Sequence, residues 1–225
     1  MNIVMRLVAR GFSLLRFGLY KALYYPLAPI YDFICQRAFL GQWSRWQRAA
    51  LPRIQGKRVL EIGCGTGTLL NEMLTRGFKA YGMDASGPML RQAQAKLAAK
   101  GWHSRLVQAR VTNLPFPDES FETVVSIFPS SYIRQVAALK EINRVLYPGG
   151  RLVIIDAAEL RPFNRRAKIL IWLYSLFYFG KRIGGKRPLG IGRHLPLEAA
   201  EFIRRDETSD DEFGSAHVII AIKTW

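Results

Sequence analysis

The residues best suited to bind a ligand are a glycine-rich stretch and a carboxylate that follows it. The stretch has the pattern E-x-G-x-G-x-G, from Glu61 to Gly67, and comes directly after a short hydrophobic run. Glycines let the backbone turn sharply and let a ligand lie against it without meeting a Cβ atom. Asp84 ends the next hydrophobic run, where its carboxylate can accept hydrogen bonds from both hydroxyls of a ribose. Together these residues predict a site for a nucleoside-containing ligand.

Residues that commonly act as nucleophiles, bases or metal ligands are scarce. The two cysteines, Cys35 and Cys64, belong to no CxxC or Cys/His cluster, which argues against a disulfide framework and a zinc site and favours a reducing compartment. Cys64 is not expected to act as a nucleophile, because nothing near it in sequence would lower the pKa of its thiol. Histidine occurs three times, at His103, His194 and His217. We therefore assign no catalytic residue and no metal site from the sequence.

Alternating strand and helix patterns surround these residues. Short β-branched runs predict strands, and the longer stretches between them predict helices. The predicted strands are 57–62, 79–84, 105–110, 123–128 and 151–156, with helices at 68–76, 87–100 and 133–146 and closing strands at 201–206 and 216–223. Pro148-Gly149-Gly150 predicts a tight turn before the fifth strand. The alternation predicts an α/β fold with a doubly wound, mostly parallel sheet, whose ligand lies at the carboxyl ends of the strands.

Several motifs occur in the order in which one enzyme family has them. They are EIGCGTG, YGMDASGPML, LPFPDESFETVV and EINRVLYPGGRLVIID. Over roughly residues 55–160 the sequence resembles the class I S-adenosylmethionine (SAM) dependent methyltransferases, and most of all the subgroup with the ubiquinone and menaquinone methyltransferases and bacterial phospholipid N-methyltransferases. A dinucleotide-dependent dehydrogenase is the weaker alternative, because its fingerprint is G-x-G-x-x-G. The resemblance implies a Rossmann-like fold and SAM as the cofactor.

The resemblance also implies roles for the residues around the first motif. Glu61 would bind or orient the amino group of the methionine part of SAM, and Asp84 would bind the ribose hydroxyls. The backbone of Gly63, Cys64 and Gly65 would contact the methionine and the ribose. For Cys64, plain packing is an equally good explanation.

A second group of residues would surround the adenine and the sulfonium. By the same resemblance, Ala85 and Met89 would flank the adenine, and Val111 would offer it a backbone group. The Ser126 carbonyl would accept a hydrogen bond from the cofactor amine. Tyr31 resembles the N-terminal lid tyrosine of the family and would lie near the sulfonium. Packing is an equally good explanation for Met89 and Val111, and at least as good for Tyr31.

Two further positions bear on affinity and on the acceptor. Arg110 lies four residues before Leu114, where the family usually has an acid that bonds the adenine amino group. Because an arginine cannot accept a hydrogen bond, Arg110 would stack on the adenine, pair with an acid or point to solvent, and SAM affinity would be weaker than is typical. Tyr132, just past the fourth predicted strand, is placed to face the acceptor, although packing is an equally good explanation.

The basic residues are concentrated in two segments of a chain whose formal net charge is +16. Residues 1–58 hold ten Lys and Arg against one acid, Asp32, and residues 160–193 hold nine with no acid. Such segments bind a polyanion, either nucleic acid or an anionic membrane surface. We divide the chain into an N-terminal segment, 1–54, and a methyltransferase domain, 55–225, which carries 160–193 as an insert.

Both basic segments contain apolar surface suited to a membrane interface. Residues 1–25 place basic side chains in one arc of a helical wheel and apolar ones largely outside it. Residues 169–179, ILIWLYSLFYF, would form about 16 Å of helix, too short to cross a hydrocarbon core of roughly 30 Å. Basic residues on both sides of this run favour contact with lipid headgroups over a buried core helix, which is the alternative. We expect a cytoplasmic protein bound peripherally to the inner face of a membrane.

The predicted function is SAM-dependent methyl transfer to a lipophilic acceptor, such as a quinone precursor or a phospholipid amine. RNA methylation is the main competing hypothesis, since both basic segments would also bind phosphates. An unbroken apolar run is not typical of surfaces that bind RNA, and this favours the membrane. A catalytically silent, SAM-binding membrane assembly factor is a third hypothesis, supported by Arg110 alone.

Overall fold

The computed structural model describes residues 24–103, 105–177 and 195–224. The amphipathic helix predicted for residues 1–25 therefore lies outside the described residues, apart from its last two positions. The second half of the predicted insert also lies outside them, together with His194.

The described residues form seven strands and six α-helices. The strands are β1 (Arg58–Ile62), β2 (Lys79–Asp84), β3 (Leu106–Gln108), β4 (Phe121–Ile127), β5 (Leu146–Leu160), β6 (Phe202–Asp210) and β7 (Gly214–Lys223). The helices are α1 (Tyr31–Ala38), α2 (Gln42–Arg48), α3 (Thr68–Thr75), α4 (Gly87–Ala98), α5 (Val136–Val145) and α6 (Arg165–Phe177). Short 3-10 turns occur at Ala28–Ile30, Leu51–Arg53, Ser131–Arg134 and Glu198–Ala200.

The described strands belong to one sheet with the order β3-β2-β1-β4-β5-β7-β6. The first five strands pair in parallel, whereas β7 is antiparallel to both of its neighbours, β5 and β6. From β1 the chain builds outward through β2 and β3, and then returns to add β4 and β5 on the other side. Ligands of such sheets bind at the carboxyl ends of the strands beside this reversal. The predicted α/β fold with a doubly wound, mostly parallel sheet is confirmed.

Two hydrophobic layers hold the helices against the sheet. Successive residues of a strand face opposite sides, so Val59 and Leu60 of β1 are both fully buried but lie in different layers. The layer around Leu60 includes α5, whose inward face carries residues at helical spacing, Ala138, Leu139, Ile142 and Val145. The layer around Val59 includes α3 and Trp46 of α2. The carboxyl ends of β1 and β4 are thus supported from both sides.

The tight turn predicted at 148–150 lies inside a strand instead. β5 already begins at Leu146, and its pairing with β4 shifts register across these residues, which form a bulge. Gly149 has a φ of +71°, and a Cβ on Gly150 would lie 2.8 Å from the carbonyl oxygen of Tyr147. Both glycines are therefore required by the bulge, since other residues would be strained or would clash there.

Two other elements are shorter than predicted. The helix predicted at 133–146 is divided, because Gln135 has an extended backbone, with a ψ of 126°, between the 3-10 turn Ser131–Arg134 and α5. The third strand, predicted at 105–110, extends only from Leu106 to Gln108.

α6 contains most of the apolar run that the sequence places at a membrane surface. Asn164 caps this helix, since its Oδ1 accepts a hydrogen bond from the Ala167 amide at 2.8 Å. Ala167 is fully buried, whereas Ile169 and Trp172, one turn apart, are 58% and 59% exposed. A buried core helix therefore does not describe these two positions. Within the described ranges, no helix is both long enough and apolar enough to cross a membrane.

Candidate cofactor site

The turn after β1 is held together by its own backbone. The amides of Gly63 and Cys64 both donate to the carbonyl oxygen of Met83, at 2.7 and 3.0 Å. The amide of Gly65 donates to Asp84 Oδ2 at 2.9 Å. The amide groups of these three residues are thus already used. Any backbone contact that they make with a cofactor is left to their carbonyl oxygens.

The glycines of the turn differ in the space beside them. Gly63, Gly65 and Gly67 all have positive φ values, of +71°, +54° and +71°. A Cβ on Gly63 would lie 2.9 Å from the Tyr132 hydroxyl oxygen, and one on Gly67 would lie 3.0 Å from the Ala93 Cβ. Beside Gly65, no described atom lies within 4 Å of the corresponding position. The turn is therefore open to a ligand at Gly65.

Glu61 is a buried carboxylate with an unused oxygen. It lies in β1, is 3% exposed, and its Oε2 has no hydrogen-bond partner among the described residues. Burial, together with the negative charge of nearby Asp84, raises the pKa of Glu61 to about 8. A buried polar atom without a partner is unfavourable, so a cation or hydrogen-bond donor here would stabilise the site. The methionine ammonium group of SAM fits this requirement.

Asp84, at the end of β2, is held in a fixed orientation by backbone amides. Its Oδ1 accepts from the Ser86 amide at 2.8 Å, and its Oδ2 accepts from the Gly65 amide at 2.9 Å. Burial raises the pKa of Asp84, and these amide bonds oppose the shift. Each carboxylate oxygen accepts more than one hydrogen bond, so both remain able to meet a pair of ribose hydroxyls.

The residues expected around the adenine differ in exposure. Ala85 is exposed, and its carbonyl oxygen accepts from Gln108 Nε2 at 3.3 Å. Met89 is fully buried in α4, and its amide donates to the N-cap hydroxyl of Ser86 at 3.4 Å. Val111 is 6% exposed and belongs to the hydrophobic layer of α5. The side chains of Met89 and Val111 therefore pack in the core, which leaves Ala85 as the exposed surface of this group.

Arg110 begins a loop that is hydrogen-bonded to side chains of α5. Its side chain is exposed, and its carbonyl oxygen accepts from the Asn113 amide at 3.0 Å. Farther along the loop, Arg144 donates to the Leu114 carbonyl oxygen at 3.0 Å, while Glu141 accepts from the Leu114 amide at 2.9 Å. Arg144 and Glu141 are also paired with each other at 2.8 Å. No local pattern in the sequence indicates these contacts, because Leu114 lies 27 residues before Glu141 and 30 residues before Arg144.

Ser126 and Tyr132 join the ends of β4 and β1. The Ser126 hydroxyl donates to the Ile62 carbonyl oxygen at 3.2 Å and lies 2.9 Å from the Tyr132 hydroxyl. Ser126 is fully buried, whereas Tyr132 is half-buried and its hydroxyl lies over Gly63. The structure thus brings Tyr132 to the same strand ends as the glycine-rich turn.

Asp32 fastens α1 to the glycine-rich turn. Its Oδ1 accepts from the Thr66 hydroxyl at 2.7 Å, and its Oδ2 accepts from the Thr68 hydroxyl at 3.2 Å. The Lys96 ammonium group of α4 lies 2.7 Å from the same Oδ2. In the sequence, Asp32 is notable only as the single acid of a basic segment. A Y-D pair ahead of the first strand was the available signal, but it does not reveal the partners.

Tyr31 lies in an aromatic cluster on the inner side of α1. Its ring contacts Tyr24 and Trp43, with centroid distances of 5.5 and 6.3 Å, and Trp43 stacks on Phe128 at 4.9 Å. Burial raises the pKa of Tyr31 far above its usual value, and the side chain is hydrogen-bonded to Cys35. Phe128 directly follows β4, so this cluster packs α1 and α2 against the carboxyl end of the sheet.

Both cysteines are buried and unreactive in this environment. Burial raises the pKa of Cys35 to about 11 and that of Cys64 well above its usual value. Neither thiol is ionised near neutral pH, which agrees with the expectation that Cys64 is not a nucleophile. In the described part of the chain, no group of three or more His, Cys, Asp or Glu side chains is placed to hold a metal ion.

The sequence is similar to methyltransferases over most of its length. A family model described as a methyltransferase domain matches residues 59–150. The demethylmenaquinone methyltransferase of Thermus thermophilus is 35% identical over 186 residues, which cover 78% of this chain and 82% of the relative. The ubiquinone/menaquinone biosynthesis C-methyltransferase of Geotalea daltonii is 30% identical over 194 residues, or 80% of each chain.

Solved structures share the fold at lower identity. The PH0226 protein of Pyrococcus horikoshii gives a TM-score of 0.62 at 18% identity, covering 89% of this chain and 98% of that one. A SAM-dependent methyltransferase of Aquifex aeolicus gives a TM-score of 0.51 at 18% identity, covering 79% and 88%. The chain belongs to the family of SAM-dependent methyltransferases, and it is an enzyme with the Rossmann-like fold of that family and SAM as its cofactor.

Proposed function

We propose that this enzyme transfers the methyl group of SAM to a ring carbon of a quinone precursor. The observation that carries this proposal is the 35% identity to a demethylmenaquinone methyltransferase across 82% of that relative's length. An independent relative with a ubiquinone/menaquinone C-methyltransferase name, similar over 80% of both chains, supports the same acceptor class.

The proposed cofactor site uses the two carboxylates at the ends of β1 and β2. Glu61 Oε2 would accept from the methionine ammonium group, which would give this buried oxygen the partner that it lacks. Asp84 would accept from the ribose hydroxyls, with its orientation fixed by the amides of Gly65 and Ser86. The remaining contacts would come from the turn, the adenine side, the end of β4 and α1, through the residues Gly63, Cys64, Gly65, Ala85, Met89, Arg110, Val111, Ser126 and Tyr31.

The main task of the protein in this reaction is to position the acceptor against the methyl group of SAM. SAM supplies an electrophilic methyl group on a sulfonium, and the ring carbon of the acceptor, in its hydroquinone form, attacks this methyl group in line. The carbon–sulfur bond breaks, S-adenosylhomocysteine leaves, and the ring carbon loses its proton to solvent. Holding the acceptor along that line provides much of the rate. Tyr132 would contribute as a positioning residue, because its hydroxyl lies over Gly63 and is tied to Ser126 at 2.9 Å. Because Ser126 donates to Ile62, the Tyr132 hydroxyl would donate to Ser126 and keep a lone pair that accepts from a hydroxyl group of the acceptor ring, which would orient the ring.

We also propose that the enzyme acts while bound peripherally to the cytoplasmic face of a membrane. A quinone precursor with an apolar tail is dissolved in the bilayer, so the enzyme has to meet it there. The net charge of +16, with basic residues concentrated in 1–58 and 160–193, supports binding to anionic lipids. The exposed apolar side chains of Ile169 and Trp172 support contact with the interface.

The experiment is a transfer assay with methyl-labelled SAM and three acceptors offered together. These are demethylmenaquinone, chemically reduced to its hydroquinone, and phosphatidylethanolamine in mixed vesicles, and total RNA in the aqueous phase. We expect label in the quinone, reduced strongly by Glu61→Gln. Label in phosphatidylethanolamine would replace the quinone by a phospholipid amine, and label in RNA would overturn the lipophilic acceptor altogether.

A further inference from the structure

A groove between α1 and the start of α6 lies outside the cofactor site. It has a volume of about 440 Å³. Arg37 of α1 and Arg166 of α6 line it, and Leu40 and Phe163 give it apolar walls. The described residues that line it include no carboxylate. Two guanidinium groups beside apolar walls suit a phosphate group that carries an apolar chain.

Exposed apolar side chains flank the groove on both helices. On α1, Phe33 is 60% exposed, and the Arg37 guanidinium lies over its ring at 5.2 Å from the centroid. On α6, Ile169 and Trp172 are exposed one turn apart, and the exposed Arg165 lies one turn before Ile169. Because residues three or four apart share a face of a helix, each helix presents basic and apolar side chains side by side.

The positive charge of this surface is not balanced within its own segments. Asp32, the one acid of residues 1–58, does not line the groove and is bonded to Thr66 and Lys96. Residues 160–193 contain no acid. A surface that combines basic and exposed apolar side chains is complementary to a partner that is both negatively charged and apolar, such as an anionic lipid.

We propose that the outer faces of α1 and α6, with the groove between them, bind an anionic phospholipid of the bilayer. Arg37 and Arg166 bind the oxygens of its phosphate. Phe33, Ile169 and Trp172 enter the interface beside the first methylene groups of the acyl chains. The inference deepens the proposed function and rests on it in one respect, since it is the bilayer that would also hold the quinone precursor.

The test compares full-length variants in a flotation assay with two kinds of vesicle. One contains phosphatidylcholine alone, and the other contains one part of phosphatidylglycerol to two of phosphatidylcholine. The double variant Arg37→Gln, Arg166→Gln is expected to lose about tenfold or more in affinity for the anionic vesicles. The matched control Lys79→Gln, Lys140→Gln also removes two exposed charges, but at the start of β2 and on α5. It is expected to change affinity by less than about threefold.

A second variant separates the contribution of the apolar side chains to vesicle binding from that of the arginine charges. Ile169→Ser with Trp172→Ser alters two exposed positions, so the fold is retained. We expect it to lose the residual binding to phosphatidylcholine vesicles, which the arginine variant keeps. Equal binding of the arginine variant and its control would overturn the groove as a lipid site. Competition by millimolar inorganic phosphate would identify a soluble phosphate ligand instead, and binding to RNA without binding to vesicles would overturn the membrane partner.

The same proteins are assayed for methyl transfer to demethylmenaquinone, chemically reduced to its hydroquinone and dissolved in detergent micelles. Arg37 and Arg166 have no part in the cofactor site, so the arginine variant is expected to keep its activity there. Loss of vesicle binding with retained activity supports the lipid site. Normal vesicle binding by the wild type without any activity would overturn the proposed acceptor and leave the lipid site standing.

Discussion

The two carboxylates at the strand ends are prepared for a ligand in different ways. Asp84 has both oxygens bonded to backbone amides, so its orientation is fixed before any ligand arrives. Glu61 has an oxygen without a partner among the described residues, and burial raises its pKa to about 8. At neutral pH Glu61 is therefore mostly protonated in the free enzyme. Pairing with an ammonium group would favour its ionised form, so we expect SAM binding to release a proton near pH 7.

Replacing Glu61 by Gln tests both its role in binding and its pKa. A charge-assisted hydrogen bond is lost, so SAM affinity is expected to fall by roughly 10- to 100-fold. In the free enzyme, the Glu61 carboxyl of the folded state keeps its proton between about pH 4.5, its usual pKa, and about pH 8. In the unfolded chain it releases that proton over the same range. Wild-type stability therefore falls with rising pH in this window, by at most about 1.4 kcal/mol per pH unit, and Glu61→Gln removes that loss.

Glu122→Gln provides the control for this pH dependence. Backbone amides of Arg58 and Lys57 lower the pKa of the Glu122 carboxyl, so its stabilisation is complete above the usual pKa and is lost only as pH falls. Urea midpoints at pH 5 and pH 8 should thus separate wild type from Glu61→Gln but should change in parallel for wild type and Glu122→Gln. A parallel change for Glu61→Gln would contradict a raised pKa.

Two glycines allow backbone strain to be separated from loss of the cofactor site. Gly65 and Gly77 both have positive φ, +54° and +85°, and at both positions a Cβ would meet no described atom within 4 Å. Alanine should therefore destabilise the fold similarly at either site, by about 1 kcal/mol. Only Gly65→Ala would place a methyl group where the proposed cofactor lies. We expect it to weaken SAM binding by at least about tenfold, as a steric block does, with Gly77→Ala close to wild type in the same calorimetric titration.

At the scale of secondary structure, Asp32 links α1 to the glycine-rich turn and to Lys96 of α4. Asp32→Asn would remove the ion pair with Lys96 while keeping an oxygen that can accept from Thr66. Both charged side chains are about one third exposed, so we expect a loss of stability of about 1 kcal/mol or less. SAM affinity should fall by about threefold, and proteases should cleave near α1 sooner. Arg48→Gln, which breaks the Arg48–Glu72 pair away from the turn, should leave SAM affinity unchanged in the same titration.

The sequence predicted the elements well where a local pattern defines them. β2 has the predicted bounds, and the glycine-rich turn follows β1 as expected. The side-chain pairs that join the loops and α1 to the rest of the fold were not predicted. Asp32 and Lys96, for example, are 64 residues apart, and no local pattern links them. The bulge at Gly149 was predicted as a free turn for a related reason, since only its pairing with β4 distinguishes the two.

At the scale of the whole molecule, α1 lies between the proposed cofactor site and the proposed lipid site. Its inner side meets the glycine-rich turn through Asp32, and its outer side carries Phe33 and Arg37 of the proposed lipid site. We therefore expect anionic vesicles to raise the affinity for SAM by a few-fold, in proportion to how firmly they hold α1 in place. Titration of SAM with and without vesicles measures this effect. Asp32→Asn should abolish it, and an equal effect in that variant would show that α1 does not transmit it.

A helix with two such faces makes the two equilibria reciprocal. If the bilayer raises the affinity of the enzyme for SAM by some factor, then SAM must raise the affinity of the enzyme for the bilayer by the same factor. Molecules loaded with the methyl donor would accumulate where a lipid-soluble acceptor is dissolved, and molecules without it would return to solution. Asp32, a single carboxylate in an otherwise basic segment, would link the two binding events. The supply of SAM would then govern how the enzyme is distributed between the bilayer and the aqueous solution.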